Sequence, residues 1–102
     1  MNSKQHSEFV SLDPATLLDD QETISLYLNS VLEQGNAAQF AAALGMVARA
    51  EGMTQMAKKT GITRQSLYQS LSSEGNPTTE ALLSVTRALG LKLQVVRVKG
   101  PL

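Results

Sequence analysis

The chain contains no cysteine. That excludes disulfide bridges, thiolate metal sites and cysteine nucleophiles, and it suits a reducing compartment. Aromatic residues are only 4% of the chain, so a core must come from Leu, Val, Ala and Met. There is one histidine, His6. No second His, Cys or acid cluster stands at metal-ligand spacing. No apolar run approaches the roughly 20 residues needed to cross a bilayer, and the start "MNSKQHSEFV" has no apolar signal region. The expectation is a soluble cytoplasmic protein with no membrane partner.

Catalytic constellations are also missing. Ser66, Ser70 and Tyr68 have no general base placed nearby in the sequence pattern. Glu74 and Glu80 flank a loop without forming an acid–base pair. A phosphate loop needs several glycines before Lys-Ser or Lys-Thr, whereas "KKTG" reverses that order and lacks the glycines. These patterns point away from an enzyme and call for no cofactor.

At 102 residues, with 42% hydrophobic and 18% charged, the chain fits one small globular domain. A core of this size gains from burial against a partner. The formal net charge is zero, but it is unevenly spread. Residues 1–35 carry Glu8, Asp13, Asp19, Asp20, Glu22 and Glu33 against Lys4 alone. Residues 36–102 carry all the other Lys and Arg against Glu51, Glu74 and Glu80. A basic body behind an acidic front suits a polyanion-binding face, and chance in so short a chain gives the same picture.

Residues 1–11 show no periodicity and are expected to be flexible. Asp13 and Pro14 favour a helical turn. Asp19 followed by Glu22 reads as a capping box for a helix in which Ile24, Tyr27, Leu28, Val31 and Leu32 recur at helical spacing, stopping near Gly35 as its C′ residue. Asn36 caps the next helix, whose stripe is Phe40, Leu44 and Val47, with Ala41 and Ala48 permitting close packing. A short helix from about Thr54 to Thr60 follows, with Met56, Ala57 and Thr60 inward. Gly61 breaks it, and Thr63 caps a helix to about Ser72. Asn76 and Pro77 mark the start of the last helix, lined by Leu82, Val85 and Leu89 and ended by Gly90. In "LKLQVVRV", Leu91, Leu93 and Val95 alternate with Lys92 and Gln94, a strand pattern. A lone strand leaves its backbone unpaired. A second copy of the chain is the simplest partner, and residues near "EFVSL" are the rival one.

The segment "MTQMAKKTGITRQSLYQSL" gathers these features into a helix-turn-helix pattern. Ala57 sits where two helices approach, Gly61 supplies positive φ, Ile62 plugs the turn and Leu67 anchors the second helix. It resembles the helix-turn-helix of lambda-repressor-like regulators, with one departure. That family has an apolar residue where this chain has Ser70, and here Leu71 follows instead. The wider run "ALGMVARAEGMTQMAKKTGITRQSLYQSLSSEGNPTTEALLSVTRALGLKL" closely resembles the addiction-module antidote proteins, through "RQSLYQSLS", "GNP" and "ALGLKL". The likeness spans roughly residues 12–97. It implies an antitoxin that neutralises a RelE-like mRNA-cleaving toxin and represses its own operon. A free-standing phage-type regulator without a toxin is the alternative.

A recognition helix reads major-groove base edges from its N-terminal part. With Leu67 and Leu71 inward, Gln65 and Gln69 face outward, and Arg64 lies near the helix start. Gln pairs with adenine and Arg with guanine, each bidentate. In similar regulators the positions of Thr63, Arg64, Gln65 and Gln69 read bases. Gln55, Lys58 and Lys59 on the preceding helix are expected to meet phosphates. The competing readings are a solvated face for the glutamines and solubilising charge for the lysines. Tyr68 is expected mostly in the core, and Met46, Met53 and Met56 in packing. Arg49 is left between an ion pair with Glu51 or Glu80 and a contact to DNA. The acidic front from Asp13 to Glu33 is a candidate for a basic toxin and equally a plain solvated surface. The expected architecture is therefore all-α, a lambda-repressor-like bundle of about five helices with a short C-terminal strand. It divides into a flexible 1–11, a single DNA-binding domain over 12–98 and a tail, 99–102. Its expected partners are double-stranded operator DNA, a cognate toxin and a second copy paired through the C-terminal strand.

Overall fold

The computed structural model describes residues 20–99. The 1–11 start, the Asp13–Pro14 turn and the "EFVSL" pairing rival lie outside the described residues. Within them are five helices: α1 (Gln21–Gln34), α2 (Ala37–Glu51), α3 (Met53–Thr60), α4 (Arg64–Ser70) and α5 (Thr79–Ala88).

Local capping chemistry decides where these helices begin. The N-cap of α1 is Asp20, one residue later than the spacing predicts. Its carboxylate accepts from the Glu22 amide at 3.1 Å and from the Thr23 hydroxyl at 2.8 Å. Glu22 therefore sits in the first turn, where its charge faces the helix dipole favourably. Asn36 caps α2 as predicted. Its side chain accepts from the Gln39 amide while Gln39 accepts from the Asn36 amide, a reciprocal capping box. The cap of α5 is Thr78, which accepts from the Ala81 amide at 3.0 Å, so Asn76 and Pro77 belong to the loop. Gly35 ends α1 in extended backbone, not in the left-handed C′ geometry.

The core is aliphatic, as the scarcity of aromatics requires. Ile24 and Leu28 of α1 meet Phe40, Leu44, Val47 and Ala48 of α2, and Met53, Met56, Leu67, Leu71, Val85 and Leu89 complete the cluster. Ala41 and Ala48 are buried in α2. α2 is the central element, packed against α1, α3 and α4. α5 closes the bundle against α3. Its C-terminal end is a Schellman motif: the Gly90 amide donates to Arg87 and the Leu91 amide to Thr86. Gln21 Nε2 donates to the Leu89 carbonyl at 2.8 Å and ties the start of α1 to this end.

Ser70 resolves in a specific way. α4 stops at Ser70, and Leu71 becomes its C-cap at φ −99°, ψ 55°. That turn of the backbone drives the Leu71 side chain inward to 0% exposure. Gly45 of α2 makes the arrangement possible. A Cβ there would overlap the Leu71 carbonyl oxygen and lie 3.0 Å from the Leu71 Cβ. Ser70, where similar regulators have an apolar anchor, instead donates its hydroxyl back to the Ser66 carbonyl at 2.8 Å.

The expected C-terminal strand is not present. Residues 91–98 have no regular secondary structure. A strand exists only through its ladder, and no other extended segment among the described residues pairs with this one. Leu91 packs on the core, while Val95, Val96 and Val98 are exposed.

Two packing predictions follow from the α2–α4 contact. Gly45→Ala should lower unfolding stability by about 1–3 kcal/mol, because the added methyl forces Leu71 away. Leu71→Ala should cost about 2–5 kcal/mol, whereas Ser70→Ala should stay within about 0.5 kcal/mol. Urea unfolding followed by circular dichroism measures all three. A Ser70 cost as large as that of Leu71 would contradict the assigned anchor.

Candidate nucleic-acid interface

α3 and α4 pack on one another, and their junction is built from three adjacent residues. Gly61 has φ 77°, ψ 8°, the left-handed region that a side chain disfavours. Its amide donates to the Ala57 carbonyl at 2.9 Å. Thr60 locks the approach: its hydroxyl donates to the Met56 carbonyl at 2.7 Å and accepts from the Ile62 amide at 3.1 Å. Ile62 packs against the core as the plug of the turn. Thr63 then starts α4, its hydroxyl oxygen accepting from the Ser66 amide at 3.1 Å. The turn geometry read from the sequence is the one observed.

Burial sorts the faces of the two helices. In α3, Met53 and Met56 are buried, Ala57 and Thr60 are half-buried, and Thr54, Gln55, Lys58 and Lys59 are exposed. Gln55 and Lys59 are one turn apart on that outer stripe. In α4 only Leu67 is buried, and Arg64, Gln65, Ser66, Tyr68 and Gln69 are exposed. Gln65 and Gln69, also one turn apart, share the face away from Leu67. The structure thus brings Gln55, Lys58 and Lys59 together on one helix and Thr63, Arg64, Gln65 and Gln69 on the next.

Several details were hidden in the sequence. Tyr68 is 41% exposed instead of lying mostly in the core. Its ring carries the Arg64 guanidinium at 5.9 Å from the centroid, an i,i+4 cation–π contact. Arg64 therefore lies along α4 over the Tyr68 ring. The Arg-x-x-x-Tyr spacing was the available signal. Thr63 uses its oxygen as a helix cap, so toward a ligand it has its hydroxyl proton to offer. Ser70, as described, and Ser72 just beyond α4 turn back on the backbone, Ser72 donating to the Gln69 carbonyl at 3.1 Å. α3 begins at Gly52, at φ 113° and with no side-chain cap, so its first amides have no side-chain oxygen in place.

Electrostatics single out the same unit. From Gly52 to Ser73 the chain holds Lys58, Lys59 and Arg64 and no acidic residue. Glu51 and Glu74 stand just outside it. Lys58 and Lys59 also occupy the last turn of α3, where the helix dipole favours cations. Arg49 is exposed at the end of α2. It borders a hollow of about 640 Å³ with Tyr27, Val31, Gln39, Met46 and Ser73. The residues lining that hollow include no carboxylate, histidine or cysteine. No group of three or more His, Cys, Asp or Glu among the described residues is placed to hold a metal ion. No helix among them is long and apolar enough to cross a membrane.

Comparison with known proteins identifies the family. An uncharacterised protein of Haemophilus influenzae is 45% identical over 83 residues, which cover 81% of this chain and 86% of that protein. No solved structure matches the chain. Residues 8–97 match the family described as "Probable addiction module antidote protein". With nearly its whole length covered by that match, the chain belongs to the family of addiction-module antidote proteins.

Proposed function

We propose that this protein is the antitoxin of a toxin–antitoxin pair and that it binds the DNA of its own operator through α3 and α4. Family membership supplies the first half, because an antidote implies a toxin. The observation that carries the second is the acid-free run from Gly52 to Ser73, folded so that every charge and all three glutamines, Gln55, Gln65 and Gln69, face outward. α4 then lies in the major groove with Gln65 and Gln69 toward base edges. Arg64 contributes a guanine contact after leaving, or while resting on, Tyr68. Thr63 offers its hydroxyl beside them. Lys58 and Lys59 meet phosphates, and Gln55 does so beside the side-chain-free start of α3.

Two recognition helices double the contact with an inverted repeat, which favours a homodimer. The exposed apolar tail beyond Leu93 is the surface for that pairing, so segment 92–98, unpaired among the described residues, gains its backbone partner from a second copy. A RelE-like mRNA-cleaving protein is the toxin class that the family resemblance implies, and autorepression is the expected outcome of operator binding. The acidic side chains Asp20, Glu22 and Glu33, all exposed, suit a basic toxin surface. The protein's work lies in the cytoplasm, where such a partner and the DNA are found.

Binding to the DNA immediately upstream of the reading frame tests the proposal by fluorescence anisotropy. Gln65→Ala, Gln69→Ala and Arg64→Ala should each lose about 1–3 kcal/mol of discrimination between operator and scrambled DNA. Lys59→Ala should weaken both DNAs alike and reduce the slope of log K against log salt by about 1. Binding with no salt slope would rule out the phosphate contacts and with them the DNA-reading face. For the other half, the tagged chain should retain the product of the neighbouring small basic reading frame in a pull-down. Failure to retain it would leave a regulator without a toxin.

A further inference from the structure

Two apolar hollows meet beside the segment that follows α5. One, of about 340 Å³, is walled by Leu32, Phe40, Pro77, Leu82 and Leu93. The other, of about 240 Å³, is walled by Leu28, Leu32, Phe40, Leu44, Leu91 and Leu93. Leu32, Phe40 and Leu93 border both, so the two form one groove between α1, α2 and the C-terminal segment. The segment that supplies Leu93 continues directly into Val95, Val96 and Val98, which are 98%, 68% and 63% exposed. Exposing three consecutive or alternate valines costs apolar hydration, and β-branched side chains favour extended pairing.

We infer that the occupant of this groove is a second copy of the chain, which lays Val95 of its tail against Leu93, Leu32 and Phe40. The inference rests on the homodimer of the proposed function and adds its contact surface and register. Groove and tail are contiguous at Leu93, so a two-fold axis beside that residue satisfies both copies at once. In an antiparallel pair, residues directly opposite one another lie on the same face. With Gln94 opposite its own counterpart, Leu93 faces the partner's Val95, and Lys92 faces the partner's Val96. The first pairing carries Val95 from solvent to the rim of the groove. The second lays the Lys92 methylene stem over Val96. The same ladder gives residues 92–98 backbone partners that no other described segment supplies.

The absence of native cysteine makes the register directly testable. Gln94→Cys should form a disulfide-linked dimer under mild oxidation, because the two residues 94 are adjacent. Val96→Cys should not: its two copies are offset by four residues, about 13 Å along the strands, beyond the about 7 Å that a disulfide spans. Val95→Asp should convert a dimeric wild-type chain to a monomer in light scattering at high micromolar concentration. Its helical circular dichroism should be unchanged, since Val95 touches solvent in the single chain. A Val95→Asp variant that stays dimeric, or Val96→Cys that crosslinks as readily as Gln94→Cys, overturns this interface and leaves the homodimer itself standing. A wild-type chain that is monomeric throughout removes both. If that monomer also loses its toxin on Val95→Asp, the groove belongs to the toxin and the inference is overturned.

Discussion

The close passage of Leu71 over Gly45 governs the orientation of the whole outer face of α4. α4 has only seven residues and a single fully buried side chain, Leu67, within its helical span. One anchor fixes a point but leaves rotation about it. Leu71, just beyond the last turn, supplies the second anchor, and it reaches the core because α2 presents no Cβ at Gly45. With two anchors one turn apart, Gln65 and Gln69 have one direction left to face. The loop behind follows the same logic of close backbone approach: Gly75 lies against the Ser70 and Gln69 carbonyl oxygens, and its amide donates to Ser72.

Function builds on that constraint. α2 holds α3 and α4 from behind, and the Thr60–Gly61–Ile62 turn sets the angle between them. The hydroxyls of Thr63, Ser70 and Ser72 are engaged with the backbone. The long polar side chains are exposed on the outer stripe. A short helix of this kind has little stability of its own. Its presentation of Arg64, Gln65 and Gln69 is therefore a property of the packed domain, and damage at Gly45 would be felt at the reading surface.

Much of this was legible in the sequence, where a single residue type had a single physical use. Asn36 before an apolar stripe, Gly61 in a turn, and the Met56, Leu67 and Val85 core positions are of that kind. The misplacements arose where two residues could do one job. Asp19 and Asp20 are both caps by chemistry, and which one serves depends on where Ile24 and Leu28 must point. Asn76 and Pro77 carry a start signal, yet Thr78 is the residue whose hydroxyl reaches a free amide. Ser70 looked like a missing anchor because helical spacing assumes the helix continues. The non-helical turn at Leu71 changes which residue faces inward. Alternation from Leu91 to Val95 is real, but a ladder is a property of two segments, and the described residues offer one. The outward face of Gln65 and Gln69 follows from helical spacing, while the Arg64–Tyr68 contact depends on a tyrosine standing outside the core.

The most direct test of the α3–α4 face as the DNA reader is a residue-by-residue amide NMR titration of the chain with its upstream DNA. Shifts concentrated at Gln55 to Lys59 and Thr63 to Gln69, with the exposed face of α1 silent, are the expected result. Shifts confined to α1 or α5, with α4 unchanged at saturation, would contradict it.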